Sequence, residues 1–124
     1  MKNKLFASFG YAFKGIWLVI KKERNMKIHI GILILVIIFG FLFCISPLEW
    51  IACLLCFGAV TGAEAFNTAF ERFVDEVSPE FNPKFGEIKD IAAGAVLLVT
   101  ICAVAVGLIV FLPKLIEFIT LNCH

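Results

Sequence analysis

Hydrophobic and polar positions divide the chain into four segments. Between residues 2 and 22, Leu5, Phe6, Phe9, Phe13, Ile16, Trp17 and Ile20 recur at spacings of three and four, with Lys2, Lys4, Lys14, Lys21 and Lys22 around them. That spacing predicts an amphipathic helix lying on a membrane surface, with Trp17 as an anchor; a short soluble surface helix would share the periodicity. Ile28 to Ile45 is an almost unbroken apolar run of spanning length, bounded by the polar cluster at 21–27 and by Ser46-Pro47. A second run begins near Trp50 and continues to Asp75, its last half polar on one face. A third runs from about Ile91 to Leu112, with Pro113 and Lys114 marking its exit. The small residues Ala92, Ala93, Gly94 and Ala95 at its start permit close helix contact. The stretch from Glu76 to Glu87 carries Ser78-Pro79 and Asn82-Pro83, which predict sharp turns rather than continuous helix. The pattern gives a surface helix over 2–22 and spans at about 28–45, 50–75 and 90–112, in a single membrane domain covering 1–124.

Composition turns these apolar runs into a class. Of 124 residues 61% are hydrophobic, with fourteen Phe and one Tyr, against roughly 45–50% apolar content in a soluble domain. The fold class is therefore an all-α membrane protein. At about 20 residues per span the length allows three spans and leaves no room for a separate soluble catalytic domain. Net charge is +1, so nothing suggests a nucleic-acid partner. Five cysteines, Cys44, Cys53, Cys56, Cys102 and Cys123, lie in or beside apolar runs. An odd number without a secreted framework does not suggest disulfides, and Cys53-x-x-Cys56, with no second pair or His nearby, reads as packing. The basic N-terminus lacks the short apolar run and cleavage site of a removed signal peptide.

The distribution of charge sets an orientation. Lys and Arg occur seven times before the first span, three times from Arg72 to Lys89, and once after the third span, while the turn between spans one and two has Glu49 and neither Lys nor Arg. The positive-inside rule then places the N-terminus and the 76–90 loop in the cytoplasm, and the 46–49 turn and the C-terminus outside. The loop faces the side that holds ATP.

The segment Gly62 to Asp75 carries the candidate chemistry. At about 100° per residue, Glu64, Asn67, Thr68, Glu71 and Asp75 share one stripe, while Phe66, Phe70 and Phe73 lie on the other side. Ionisable groups at membrane depth are expensive and mark function by default. Glu64 is the deepest; Glu71 and Asp75 approach the cytoplasmic interface, where Glu23 begins span one and Lys89-Asp90 begin span three. Carboxylates from two helices with a Lys and a loop are what phosphoryl transfer requires: Mg²⁺ held through one or two carboxylates and the phosphates, a cation on the transferring group, and a base for a hydroxyl proton. Glu64 is the candidate base, at a depth suited to a hydroxyl near the bilayer surface. Two other readings of the stripe stay open: helix-helix glue in an oligomer without chemistry, and proton or ion transport. Against transport, the polar residues crowd into the cytoplasmic half and the outer halves of the spans offer no continuing path. His29, one turn into its span, has an equally simple reading as a side chain satisfied at the interface.

These residues resemble the small prokaryotic integral-membrane diacylglycerol kinase and undecaprenol kinase family. Its signature, Glu-x-x-Asn-[Ser/Thr]-Ala-x-Glu-x-x-x-Asp, is matched by Glu64, Asn67, Thr68, Ala69, Glu71 and Asp75. The likeness extends to Gly10-Tyr11 and Lys14-Gly15, to Glu23-Arg24-Asn25, and to Lys89-Asp90 with the small residues after it. His29 stands where the diacylglycerol branch has a carboxylate, Ala93 where it has Ser, and Ile88 in place of a common Ala; the first two resemble the Gram-positive branch that acts on undecaprenol. The resemblance implies a homotrimeric helical bundle with active sites between neighbouring subunits, in a bacterial inner or plasma membrane, transferring the γ-phosphate of ATP to a lipid alcohol. It implies Glu64 as general base in contact with the lipid, Asn67 beside it as a substrate-binding polar residue, and Glu23 and Glu71 as ligands of the Mg²⁺ that accompanies ATP. Tyr11, Glu80, Phe81, Asn82, Lys89, Asp90 and Lys4 match nucleotide-binding positions, and the resemblance implies that Glu23 and Glu71 contact the nucleotide as well through its metal. Asp75 receives no catalytic role. The expected reaction is undecaprenol to undecaprenyl phosphate, with diacylglycerol to phosphatidic acid as the alternative and a non-enzymatic, small oligomeric membrane protein as the rival.

Overall fold

The computed structural model describes residues 2–122; Cys123 and the side chain of Lys2 lie outside the described residues. Four helices follow in order: α1 Lys2–Lys22, α2 Arg24–Leu42, α3 Pro47–Val77 and α4 Pro83–Asn122, with no strand among the described residues. By length and composition α2, α3 and α4 are each able to cross a membrane. Most of their large apolar side chains point outward from the single chain, as expected where hydrocarbon replaces water as the neighbour.

One residue separates α1 from α2. Glu23 has extended backbone (φ −101°, ψ 120°), yet its N–H donates to Val19 O at 3.0 Å and its carbonyl accepts from Lys27 N at 3.3 Å. It therefore closes one helix and opens the next. Buried Val19 and Met26 flank this corner, while the apolar residues of α1 from Leu5 to Trp17 remain exposed.

The turn from α2 to α3 is tightly specified. Ile45 N donates to Gly40 O (3.1 Å) and Cys44 N to Phe41 O (3.3 Å), the paired bonds of a Schellman ending. Cys44 takes the left-handed position (φ 52°), which glycine fills at least cost. Ser46 then caps α3: its Oγ accepts from Glu49 N at 3.2 Å, and Glu49 Oε1 accepts from Ser46 N at 2.9 Å, with Pro47 in the first turn. This capping box satisfies donors that would otherwise be orphaned at the helix start.

At this end the helices make their core. Ile45, Cys53 and Val110 are buried together, with Val36, Phe43, Trp50, Val106 and Phe111 packed around them. Cys53 thus serves packing, and Cys44, Cys53, Cys56 and Cys102 are all free thiols.

Helix α4 does not stop where the third span is expected to leave the membrane, but continues through Pro113 to Asn122. A proline inside a helix forfeits one backbone bond and costs about 3 kcal/mol. Two contacts beyond it hold the extension in place: Lys114 Nζ lies 3.4 Å from Glu49 Oε1, and the Phe118 ring stands 5.9 Å from that of Phe43.

Candidate active site

The polar stripe of α3 turns into the bundle. Glu64 is 2% exposed, and Asn67 and Thr68 are also buried. Glu71 is half-buried and Asp75 exposed, so exposure rises along the stripe towards the loop. Phe66, on the opposite side, is 72% exposed, and Phe70 and Phe73 face outward with it. The helix therefore buries Glu64, Asn67 and Thr68 and offers its phenyl rings to lipid or to a neighbour, the reverse of a soluble amphipathic helix.

A buried carboxylate needs a partner, because leaving it unpaired costs several kcal/mol. For Glu64 the partner is His29 on α2, whose Nε2 lies 3.9 Å from Glu64 Oε2. That separation is too long for a hydrogen bond, so the two groups face each other at ion-pair range. One turn along α3, Asn67 Nδ2 donates to Glu71 Oε1 at 3.4 Å. Asn67 Oδ1 is buried with no protein partner, an acceptor left over on the same face.

His29 also lines a cavity of about 220 Å³ that extends away from Glu64 between α2, α3 and α4, past Val60, Cys56, Thr100 and Phe111. Its walls are almost wholly apolar, apart from His29 and the Thr100 Oγ1, which is buried without a partner.

A second concavity lies at the α3–α4 loop. It has a volume of about 450 Å³ and gathers Glu80, Phe81, Asn82, Lys89 and Asp90 with Asp75. Local hydrogen bonds shape it: Ser78 Oγ donates to Glu80 O (3.0 Å), and Asn82 Oδ1 accepts from Lys84 N (3.0 Å), capping α4 ahead of its first-turn Pro83. Lys89 Nζ reaches back to Asp75 Oδ1 at 2.9 Å, holding a cation over the groove. An exposed pair of this kind contributes about 1 kcal/mol or less to stability, so its effect here is on where the ammonium points.

The structure thus joins five of the expected nucleotide residues in one groove, and Glu64, Asn67 and Glu71 along one buried face. It does not bring Lys4, Tyr11, Glu23 or Glu71 into the groove lining; Lys4 and Tyr11 stand exposed on α1. Glu23 is half-buried, and its side chain makes no capping bond to α2. Among the described residues no three His, Cys, Asp or Glu side chains converge as a metal cluster.

Two relationships escaped the sequence. The His29–Glu64 pairing joins residues 35 positions apart on different helices; the available signal was a titratable ring inside an apolar run. The Asp75–Lys89 pair depends on how the loop folds back, and only the opposite charges on either side of a proline-rich turn hinted at it.

Fold and site together define a small multi-pass helical membrane protein with a carboxylate face buried between its spans and a polar groove at the adjoining loop. Comparison with known families gives that class its chemistry. The model of the prokaryotic diacylglycerol kinase family matches residues 10–111, and the chain belongs to that family, making it a lipid kinase with a nucleotide and a lipid as substrates. It is 39% identical over 113 residues to the undecaprenol kinase of Bacillus subtilis, covering 91% of this chain and 92% of that protein. It is 35% identical over 114 residues to the diacylglycerol kinase of Synechocystis, covering 91% of this chain and 65% of the relative.

Proposed function

We propose that the protein is an ATP- and Mg²⁺-dependent kinase that converts undecaprenol to undecaprenyl phosphate in a bacterial cell membrane. The observation that carries the chemistry is the buried Glu64 carboxylate on a spanning helix, beside an apolar cavity and on the same helix as the loop groove. Undecaprenol is preferred because the Bacillus relative, matched over nearly its whole length, bears that activity in its name. Diacylglycerol is the second reading, supported by the name of the Synechocystis relative.

In this reading Glu64 takes the proton of the lipid hydroxyl, the freed oxygen bonds to Pγ, and ADP leaves with the electron pair of the broken Pγ–O bond. Asn67 holds the acceptor side of the site. Glu64 and Asp75 are eleven residues apart on α3, about 16 Å along the axis, which leaves space between base and groove for an extended phosphate chain. Lys89, with Asp90, Glu80, Phe81 and Asn82, binds the nucleotide there, and Tyr11 and Lys4 join them from the α1 of a neighbouring subunit. The donor set suits Mg²⁺, which keeps waters and phosphate oxygens and asks for only one or two protein carboxylates; Glu71, beside Asn67, and Glu23, whose carboxylate is not spent on capping, would hold it. When bound, the ion offsets the negative charge of the phosphates.

The active assembly in this proposal is a homotrimer with sites between subunits, α1 lies on the cytoplasmic membrane surface, and the C-terminus is outside. The exposed Phe66, Phe70 and Phe73 face, and a groove whose lining does not include the exposed Tyr11 of the same chain, support an intersubunit arrangement.

Purified protein given labelled ATP and either undecaprenol or diacylglycerol tests the reading. Label in undecaprenol is expected. Label mainly in diacylglycerol would change the acceptor, and label in neither lipid would favour a structural protein.

A further inference from the structure

His29 occupies a boundary. One side of its ring faces the Glu64 carboxylate at 3.9 Å, and the ring also lines the apolar cavity that extends towards Phe111. Hydrocarbon-lined space ends at His29 and the buried carboxylate begins there. A long-chain alcohol has the same division, an apolar chain ending in one hydroxyl. Its chain belongs with Val60, Cys56 and Phe111, and its oxygen with His29 and Glu64.

The separation of the two side chains fits that oxygen. An oxygen placed about 2.8 Å from both His29 Nε2 and Glu64 Oε2 closes a triangle on the 3.9 Å base with an angle of about 90° at the hydroxyl. That angle lets the hydroxyl accept one hydrogen bond and donate another. Direct closure of His29 onto Glu64 would use up both groups.

We infer that His29 is the second protein partner of the acceptor hydroxyl: its Nε2–H donates to the alcohol oxygen while Glu64 Oε2 accepts the alcohol proton. This rests on the lipid-kinase reading above and adds a residue to it. During transfer the alcohol O–H bond breaks with its proton passing to Glu64, the O–Pγ bond forms, and the bond from Pγ to the ADP oxygen breaks. His29 keeps its proton throughout and stabilises the negative charge that grows on the attacking oxygen. Nε2 carries a hydrogen in the required neutral tautomer and in imidazolium alike. The role therefore depends on a donor at that position, which glutamine also supplies and leucine does not.

Two substitutions and one spectroscopic measurement test this. His29→Leu should lower kcat/KM for the lipid alcohol about ten- to a hundred-fold, with KM for ATP unchanged, and His29→Gln should recover most of the loss. Full activity in His29→Leu, or equal losses in folded Leu and Gln variants, would overturn the inference while leaving the kinase reading intact; a wild-type protein that phosphorylates no lipid alcohol would instead remove that reading. Where the variants fail to fold, the otherwise native ring answers directly. In ¹⁵N-histidine-labelled protein carrying His124→Gln for assignment, the Nε2 resonance should move on adding polyprenol with a non-transferable ATP analogue. The hydrocarbon lacking the hydroxyl should leave it in place, and no difference between the two would refute the contact.

Discussion

Gly40→Ala places one methyl group at the tightest point of the α2–α3 turn. A Cβ at Gly40 would stand 2.5 Å from Trp50 Cη2, 2.7 Å from Trp50 Cζ2 and 3.2 Å from Ile45 Cδ1, whereas carbon atoms rest about 3.5–4.0 Å apart. The indole must withdraw by about 1 Å. It is not free to do so, because its ring lies 5.0 Å from that of Phe41 and packs against the cluster of Ile45, Cys53 and Val110. Overpacking of this kind costs about 1–3 kcal/mol, and the expected result is a lower denaturation midpoint in detergent. In a Trp50→Leu background the offending ring atoms are gone, so the same glycine substitution should cost less than about 0.5 kcal/mol, the limit of ordinary additivity. Gly40 lies eleven residues beyond His29 on α2, about 16 Å along the axis, so lipid phosphorylation at low temperature should be unchanged. An equal cost in both backgrounds, or no cost with Trp50 present, would refute the packing argument.

Glu64→Gln keeps the shape of the side chain and removes the base, so lipid phosphorylation should fall at least about a hundred-fold in protein that remains folded; full activity would sink the assignment. Glu71→Gln and Glu23→Gln should each raise the Mg²⁺ concentration needed for half-maximal activity, and an unchanged titration would count against those roles. Cys44→Gly relieves a left-handed position occupied by a residue with a Cβ and should raise stability by up to about 1 kcal/mol, read as a higher denaturation midpoint; a lower one would show that the cysteine is not strained there.

The three apolar helices were legible because hydrophobic length alone marks them, and the Glu64–Asp75 stripe because helical spacing is local. Which way the stripe faces needed only the contrast with Phe66, Phe70 and Phe73. The length of α4 beyond Pro113 was not legible, because a proline is a strong stop signal in isolation, and Lys114 meeting Glu49 and Phe118 meeting Phe43 across the bundle are contacts no local pattern encodes. The partner of Glu64 was hidden for the same reason: His29 sits in a different helix, and an isolated His in an apolar run has several ordinary explanations. Asp75, without a role in the sequence, acquires one from the loop that carries Lys89 back to it.

The two ion pairs between α3 and α4 mark how those helices align along their length. Glu49 and Asp75 are 26 residues apart on α3, and their partners Lys114 and Lys89 are 25 apart on α4, so two antiparallel helices are pinned at matching intervals of about 38 Å. Sliding one helix by a single turn would break both pins together, so both are consistent with the same axial register. That interval also exceeds the roughly 30 Å of hydrocarbon in a bilayer. With the helices near the membrane normal, the pins stand close to the headgroups at either face, where charged side chains remain hydrated, and the apolar stretch between them is the part of the rod the lipid must match.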